Sequence, residues 1–248
     1  MLIKKQSEID KIRQSGQILA ETIGQLKSMV QPGVSLAELN QRAEELIDQA
    51  GAQPSFKNYR GFPAALCVSV NEVIVHGPPS DYKLKSGDIV SLDLGVFYQG
   101  FHSDMAVTVP VGSIDQTSQR LIYVTEEALM RGIAAVKPGG YLGDLGQAIS
   151  SYVWKQGFDV VRELCGHGIG HSLHEEPDVL NFGQPGQGLM LRPGMVICLE
   201  PMVTVGRGRI KLGSDGLSYL TVDGSRSAHF EHTVAVTEEG SEILTQLP

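Results

Sequence analysis

The sequence predicts an α+β fold in which two related halves contribute strands to one sheet system. In each half, two segments with helical periodicity come first and β-like segments follow them. The β-like segment that ends at Asp93 resembles the segment that ends at Glu200 in its order of apolar, glycine and acidic positions. A chain of 248 residues can form one large domain or two closely joined halves. We therefore expect a single domain made of two halves, at about residues 1–112 and 113–248.

The repeat extends beyond that pair of segments. The Pro-Gly turn at 32–33 and the helix start after it match the turn at 138–139, at nearly the same spacing along the chain. Each half also offers a second acidic strand, which carries Asp104 in the first half and Glu231 in the second. Four carboxylates that converge would repel one another unless cations lay between them. Hard divalent metal ions with oxygen ligands are the natural cations for such a site.

Two helices open the first half. Apolar residues recur at helical spacing over 7–29, and Pro32 ends that helix. Ser35 predicts the N-cap of a second helix because Glu38 would complete a capping box, and Gly51 marks the end of that helix.

β structure completes the first half. Residues 53–63 predict a loop rich in aromatic side chains. The alternating, β-branched segment 67–75 predicts a strand or a hairpin. Two more strands are predicted at 88–98 and 103–111, with a turn at 99–100.

The second half repeats that order. Helices are predicted at 116–136 and 142–156, and residues 183–188 form a loop rich in glycine. The remaining segments read as strands at 158–165, 195–205, 217–222 and 229–237.

Composition excludes several classes of protein. Hydrophobic residues make up 42% and charged residues 19%, which is ordinary for a soluble globular protein. A net charge of −8 argues against a nucleic-acid surface. No apolar segment has the length of a membrane span or the form of a signal peptide, and three cysteines do not make a disulfide framework. We expect a cytoplasmic protein. One cysteine could be a nucleophile, but buried apolar cysteines are commoner.

The acidic strands are the strongest candidates for a site. A lone Asp93 could be a solvent-facing position of an alternating strand. Glu200, however, has apolar neighbours on both sides, and an unpaired buried carboxylate costs several kcal/mol. A metal ion resolves that cost, so the repeat favours the metal interpretation for both residues.

The histidines offer a second candidate. All seven lie between residues 76 and 232, which predicts that they share a site with the acidic strands. His167, His171 and His174 have a spacing that would suit zinc on a helix, but glycines among them argue against a helix. In an extended chain, His167 and His171 would share a face and His174 would lie opposite.

Together these residues resemble type I methionine aminopeptidases over residues 3 to 245. The pairing of Asn71-Glu72 with His76-Gly77 favours this family over prolidases, aminopeptidases P and creatinases. The motifs that carry the resemblance are, in chain order, Asn71-Glu72-Val73-Ile74-Val75-His76-Gly77, Asp93, Gly100-Phe101-His102-Ser103-Asp104, Gly166-His167-Gly168-Ile169-Gly170, His174-Glu175-Glu176-Pro177, Glu200-Pro201-Met202 and Phe230-Glu231-His232-Thr233.

The resemblance implies the duplicated "pita-bread" fold, with two pseudo-symmetric halves, an antiparallel sheet and helices outside. It implies two divalent metal ions, which cobalt, manganese, iron or zinc could supply. In that family pattern Asp93 binds one metal ion, His167 and Glu200 bind the other, and Asp104 and Glu231 bridge the two.

The resemblance also implies catalytic and binding roles. Glu200 would move the proton of the attacking water, His174 would donate to the substrate carbonyl, and His76 would lie near the scissile nitrogen. The methionine pocket and a monovalent-cation site follow from the same pattern. The pocket residues are Tyr59, Phe62 and Cys67, with Phe56, Leu173 and Leu217 where some members have Cys, Phe and Trp; the cation-site residues are Asn71, Val73 and Ser227.

The implied activity is removal of the N-terminal methionine from nascent proteins whose second residue is small. An Xaa-Pro exopeptidase of the same fold and a non-catalytic binding protein are the alternatives, although the five metal positions are intact. We expect a monomer whose partners are N-terminal peptides, with the ribosome as a further candidate, and neither nucleic acid nor membrane.

Overall fold

The structure is a computed structural model that describes residues 3–247. Within that range it has four α-helices, α1 (Gln6–Met29), α2 (Leu36–Gln49), α3 (Gln116–Ala134) and α4 (Leu142–Lys155), and a short 3₁₀ helix at Tyr59–Gly61. The strands are β1 (Gln53–Pro54), β2 (Leu66–Val70), β3 (Val73–Val75), β4 (Ile89–Tyr98), β5 (Phe101–Pro110), β6 (Asp159–Val160), β7 (Gly166–Gly168), β8 (Glu175–Val179), β9 (Val196–Leu199), β10 (Met202–Thr204), β11 (Ile210–Leu212), β12 (Tyr219–Thr221), β13 (Ser227–His229), β14 (Glu231–Val236) and β15 (Ser241–Ile243).

A nine-stranded antiparallel sheet joins the two halves. Its order is β1-β4-β5-β14-β9-β7-β8, with β2 also paired to β4 and β15 to β14. The halves therefore meet at the pairing of β5 with β14, in the middle of the sheet. Two three-stranded sheets, β13-β10-β6 and β11-β12-β3, complete the architecture. The prediction that both halves share one sheet is confirmed.

The helices cover the sheet as two pairs. α1 buries apolar side chains such as Leu19, Ile23 and Leu26, and it packs on β4 and β5. α3 packs on α4 and buries Leu121 and Val124 over the strands of the second half. None of the helices in the described range is both long enough and apolar enough to cross a membrane.

The helix predictions are accurate to within about two residues because their end signals are local. Ser35 caps α2: its hydroxyl accepts the Glu38 N–H at 3.2 Å, and the Ser35 N–H donates to the Glu38 carboxylate at 2.7 Å. Gly51 follows the helix with φ of 69°, as a C-terminal glycine should.

Some strand predictions were wrong. The segment 67–75 forms two strands that belong to different sheets, because β2 pairs with β4 and β3 pairs with β12. The predicted strand 195–205 breaks after Leu199, since Pro201 has no N–H to continue the ladder. The predicted strand 158–165 is reduced to β6, which finds only two partner residues on the short β10. Strands β7, β8, β11 and β15 were not predicted.

Candidate metal centre

The strand register places acidic residues from both halves side by side. Asp93 on β4 lies opposite Ala106 on β5, and Ala106 lies opposite Glu231 on β14. The β14–β9 ladder then places Glu231 beside Glu200, the first residue after β9. Three carboxylates thus lie in one row across four neighbouring strands.

A second row lies two residues along the same face, because alternate strand residues point the same way. Asp104 on β5 is clamped there by the Thr233 side chain. The Asp104 N–H donates to Thr233 Oγ1 at 2.9 Å, and the Thr233 hydroxyl donates to the Asp104 carbonyl at 2.8 Å. His167 extends this row from β7, which pairs with β9.

The side chains of the two rows converge. Ligand atoms of Asp93, Asp104 and Glu231 lie within 4.8 Å of one another. His167 Nε2 lies 4.0 Å from Asp104 Oδ2 and 3.7 Å from Glu200 Oε1. His167 Nδ1 is 2.9 Å from the Gly168 carbonyl, an acceptor that holds the proton on Nδ1 and leaves the Nε2 lone pair facing the carboxylates.

The four carboxylates lack positive partners. Asp93, Asp104 and Glu231 are at most 8% exposed. Asp93 Oδ1 and Glu231 Oε1 have no hydrogen-bond partner, and no lysine or arginine in residues 3–247 forms an ion pair with any of the four. Since buried charges are normally paired or bound to metal ions, these orphaned oxygens fit divalent cations.

The pKa values carry the same information. Burial, with the charge of Glu200 adding, raises the pKa of Asp93 to about 7, and burial raises the pKa of Glu200 to about 7. Burial and the neighbouring carboxylates raise the pKa of both Asp104 and Glu231 well above the usual range. Cations among the four groups would reverse this by favouring the ionised forms.

A cavity of about 300 Å³ opens onto these carboxylates. It brings together every residue that the sequence assigned to metal, catalysis or the side-chain pocket. Its lining residues are Phe56, Tyr59, Arg60, Phe62, Cys67, His76, Asp93, Asp104, His167, Leu173, His174, Glu200, Leu212, Gly216, Leu217, Tyr219 and Glu231. The wall is therefore apolar and aromatic on one side and acidic on the other.

His174 is held in this cavity as a neutral donor. Its ring lies 4.2 Å from the His167 ring, and its Nδ1 lies 3.0 Å from the Tyr59 hydroxyl. Burial, followed by the charge of His167, lowers the pKa of His174 to about 3. If the Tyr59 hydroxyl donates to Nδ1, the remaining proton is on Nε2 and is available to a ligand.

His76 also lines the cavity, in a strained backbone conformation. Its φ of 59° is left-handed, which a residue with a Cβ adopts at a cost of about 1–3 kcal/mol. Its ring meets the edge of Tyr219 at 5.7 Å. Burial, followed by the charge of His229, lowers the pKa of His76 to about 4, so this imidazole is neutral as well.

The three residues predicted for a monovalent cation also lie together. The Ser227 hydroxyl is 3.3 Å from the Asn71 carbonyl and 3.1 Å from the Val73 carbonyl. The Ser227 N–H donates to the same Asn71 carbonyl at 2.9 Å. This cluster lies at the turn between β2 and β3, where Asn71 has φ of 55°.

The expectation that all the histidines share one site was wrong. His102 bonds Ser55, His171 lies on the surface beside Glu8, and His232 bonds Thr245. The predicted faces of His171 and His174 were also exchanged. After β7 the chain leaves the extended conformation over 170–174, so strand alternation no longer applies there.

Four lining residues of the cavity were not predicted, namely Arg60, Leu212, Gly216 and Tyr219. His229, one of the histidines expected near the acidic strands, lies beside Glu200, with Nε2 3.4 Å from Glu200 Oε2. Strand alternation could have indicated His229, since it stands two residues before Glu231. No local signal marks Arg60 or Tyr219.

The register also corrects the alignment of the repeat. Asp93 and Glu200 hold equivalent places in the two halves. Asp93 neighbours Ala106 and Glu200 neighbours Glu231, so Ala106 is the equivalent of Glu231. Two residues earlier on each strand, Asp104 is then the equivalent of His229, and not of Glu231 as the sequence repeat suggested.

Known proteins match this chain over its full length. The model of metallopeptidase family M24 matches residues 10–238. The methionine aminopeptidase of Clostridium perfringens is 49% identical over 99% of this chain and 98% of its own length. The crystal structure of methionine aminopeptidase from Thermotoga maritima has a TM-score of 0.98 and 44% identity, and each chain covers 100% of the other.

A more distant structure addresses the alternative activity. Prolidase from Pyrococcus furiosus has a TM-score of 0.81 and 25% identity, over 99% of this chain and 66% of the prolidase chain. The shared architecture is the pita-bread fold, which confirms the predicted fold class. Sequence identity and the covered share of the relative's own chain are both higher for the methionine aminopeptidases than for the prolidase.

Proposed function

The chain belongs to metallopeptidase family M24, and from that premise we infer that its acidic cavity is the active site of a methionine aminopeptidase. The enzyme removes the N-terminal methionine of its protein substrates and depends on divalent metal ions. We propose that it cleaves nascent chains whose second residue is small, and the apolar residues among the cavity lining fit a methionine side chain.

One observation carries this function. Four carboxylates from both halves, three of them buried, meet in a cavity without a lysine or arginine partner from the described residues. Such a cluster is unfavourable in an empty site and favourable around cations. Its coincidence with an apolar pocket fits a metallopeptidase that takes an apolar N-terminal residue.

We propose that two divalent cations are held there. Asp93 would bind one, His167 and Glu200 the other, and Asp104 and Glu231 both. When bound, the cations would supply an activated water and would polarise the scissile carbonyl. Oxygen ligands with one imidazole accept cobalt, manganese, iron or zinc, so the physiological ion is a matter for measurement.

The chain's own residues supply the remaining chemistry. Glu200 would take the proton from the attacking water and pass it to the leaving amine. Neutral His174 would donate from Nε2 to the carbonyl oxygen as its negative charge grows. His76, which also lines the cavity, would lie near the scissile amide nitrogen.

The pocket would hold the methionine side chain between aromatic and apolar groups. Phe62 and Cys67 line it beside Tyr59. Phe56, Leu173 and Leu217 belong to the same apolar cluster, and their side chains would set the width of the pocket. The acidic end of the cavity would attract the substrate's free α-amine, so only the first residue would be cleaved.

Other assignments follow as proposals. A monovalent cation would bind the carbonyls of Asn71 and Val73 with the Ser227 hydroxyl, which lies within 3.3 Å of both carbonyl oxygens. Newly made proteins as substrates make the ribosome a partner to test and the cytoplasm the expected location. We propose a monomer built as one domain from halves at about 1–112 and 113–248.

The decisive experiment is hydrolysis of a Met-Ala-Xaa peptide before and after exhaustive chelation. We expect methionine release that stops on chelation and returns on addition of cobalt or manganese. A Met-Leu-Xaa peptide is the matched control, and it should be cleaved much more slowly. Full activity in the chelated protein would contradict the proposal.

The Xaa-Pro alternative is tested in the same assay. A dipeptide such as Ala-Pro presents a ring at the scissile nitrogen and a small first side chain. Preferential cleavage of this dipeptide over the Met-Ala-Xaa peptide would assign the chain to the prolidase type. No cleavage of either substrate with bound metal would favour a binding protein.

A further inference from the structure

His229 is a buried imidazole for which the proposed reaction has no use. It is 1% exposed, and neither of its ring nitrogens has a hydrogen-bond partner among the described residues. Burying a polar group without a hydrogen-bond partner is unfavourable, so a partner for this ring is expected. The nearest charged atom is Glu200 Oε2, 3.4 Å from its Nε2.

The backbone of His229 is fixed tightly. Its N–H donates to Thr108 Oγ1 at 2.8 Å, and the Thr108 hydroxyl contacts the His229 carbonyl at 2.9 Å. Ser91 lies 2.8 Å from the same hydroxyl and extends the network into β4. The arrangement repeats the clamp of Thr233 on Asp104, so His229 occupies the second-half counterpart of a proposed metal-bridging position.

Two roles are open to an imidazole in that place, and His167 distinguishes them. The Nδ1 of His167 is bonded to the Gly168 carbonyl, which keeps its Nε2 lone pair free for a cation. His229 Nδ1 has no acceptor of that kind. No described residue holds the proton on Nδ1, so the proton is free to reside on Nε2, which lies 3.4 Å from Glu200 Oε2.

We infer that His229 is a positioning residue of the metal centre, whose Nε2–H holds Glu200 Oε2 so that Oε1 faces His167. The inference rests on the proposed metal centre and extends it. Glu200 Oε1 already lies 3.7 Å from His167 Nε2, whereas the other oxygen, Oε2, is the one that lies 3.4 Å from His229 Nε2. His229 therefore fixes the orientation of the group that serves as both ligand and base.

Removal of the His229 side chain should therefore weaken metal binding. Partners that orient a metal ligand change affinity or activity by about 10- to 100-fold when removed. His229→Leu keeps an apolar side chain in the buried site and removes the donor. His229→Gln places an amide N–H near the former Nε2, so it should restore most of the affinity.

The test is calorimetric titration of the metal-free protein with cobalt(II), for the parent, His229→Leu, His229→Gln and His232→Leu. His232 is the matched control, since its ring bonds Thr245 and not the carboxylates. We expect His229→Leu to bind one cobalt ion about 10- to 100-fold more weakly, with His229→Gln and His232→Leu within a few-fold of the parent. Normal affinity in His229→Leu overturns the inference, and so does equal loss in the Leu and Gln variants, which would make His229 a ligand.

A spectroscopic measurement needs no substitution. Nitrogen NMR of the zinc-loaded parent should show His229 protonated on Nε2, and His167 protonated on Nδ1. An unprotonated, metal-shifted His229 Nε2 overturns the inference even if every variant misfolds. The parent titration separates the two levels: failure of the parent to bind cobalt would contradict the proposed metal centre, whereas a parent that binds normally tests His229 alone.

Discussion

The two halves of the molecule use one strand arrangement for different chemistry. In the first half, β4 runs for ten residues and its partner β5 for another ten, and together they contribute Asp93 and Asp104. In the second half, β9 stops after four residues at the segment Glu200-Pro201, and β14 begins at Glu231. The first half is a continuous ribbon, and the second is a ribbon interrupted at its acidic residue.

The interruption explains how His229 comes to lie beside Glu200 in the second half. Proline after Glu200 ends the ladder and lets the next strand, β10, join another sheet, which brings His229 back behind Glu200. In the first half, Asp104 stands at the place equivalent to His229. Ala106, which lies opposite Asp93, stands at the place equivalent to Glu231. Duplication thus supplied the scaffold, and differences between the copies supplied ligands of unequal length and kind.

The largest effect is expected from variants of the two residues proposed to bridge the metal ions, one from each half. Asp104→Asn and Glu231→Gln should each disturb both proposed metal ions, because each residue would touch both. We expect kcat/KM to fall by on the order of 10³ or more, since bound cations supply several kcal/mol of transition-state stabilisation. Metal content, measured by emission spectroscopy after dialysis, should fall at both sites.

Asp93→Asn is the comparison for those two variants. It belongs to the first half alone and should lose mainly one metal ion. Two normal sites in a titration of Asp104→Asn would show that the bridging assignment is wrong.

The next effect lies wholly in the second half. His174→Ala removes a donor that serves the transition state more than the ground state, so kcat should fall by about 10²–10³ while KM changes little. Metal content should stay normal because His167, not His174, is the proposed ligand. His171→Ala, three residues earlier and exposed beside Glu8, is the control and should keep nearly full activity. Equal damage in both variants would contradict this division of roles.

How far the sequence could predict this site depended on the range of each signal. Asp93 and Glu200 were predictable, because apolar neighbours in a repeated segment indicate burial. A buried carboxylate without a partner in turn indicates a metal ligand. His174 was misplaced by strand alternation, because the turn over 170–174 is fixed by contacts distant in sequence. The Lys4 ammonium that pairs with Glu175 beside that turn is one such contact, at 2.5 Å.

The repeat itself misled at one point. It aligned Asp104 with Glu231, because both follow a histidine by two residues. Only the pairing between strands of different halves showed that Asp104 corresponds to His229. Register between distant strands has no local signal, which is why Tyr219 could not be predicted as a neighbour of the cavity.

Removal of the metal ions should make the stability of the protein depend on pH, because the carboxylates of the two halves then lack cations. Burial raises the folded-state pKa of Asp93 and Glu200 to about 7, above the values near 4 of an unfolded chain. The stabilisation by bound protons is therefore fully present below about pH 4 and is lost as pH rises through about 7. We expect the metal-free protein to melt at a lower temperature at pH 8 than at pH 6.

Metal ions should reduce or reverse that pH dependence, because they take the place of the protons. At a free metal concentration 100 times Kd, one bound ion adds about 2.7 kcal/mol to the free energy of unfolding. Thermal unfolding with chelator and with cobalt at both pH values measures the effect. A metal-free melting temperature that rises from pH 6 to pH 8 would contradict the assignment of these carboxylates as uncompensated.

The smallest effect, and the sharpest comparison, concerns the two hydroxyl clamps. Thr233 of the second half holds the backbone of Asp104, and Thr108 of the first half holds the backbone of His229. A Thr→Val change keeps the shape and leaves a buried N–H and a buried carbonyl without that partner, at a cost of about 1–3 kcal/mol in stability. Thr125→Val is the matched control, because the carbonyl that its hydroxyl contacts belongs to α3 and keeps its helix hydrogen bond. Urea unfolding should show both clamp variants less stable than the control.

Cobalt titration should then distinguish the two clamp variants. Thr233→Val should weaken both sites through Asp104, and Thr108→Val should weaken only the site of Glu200 through His229. Identical titration curves for the two variants would mean that the clamps support the sheet as a whole and do not act on the separate ligands of each half.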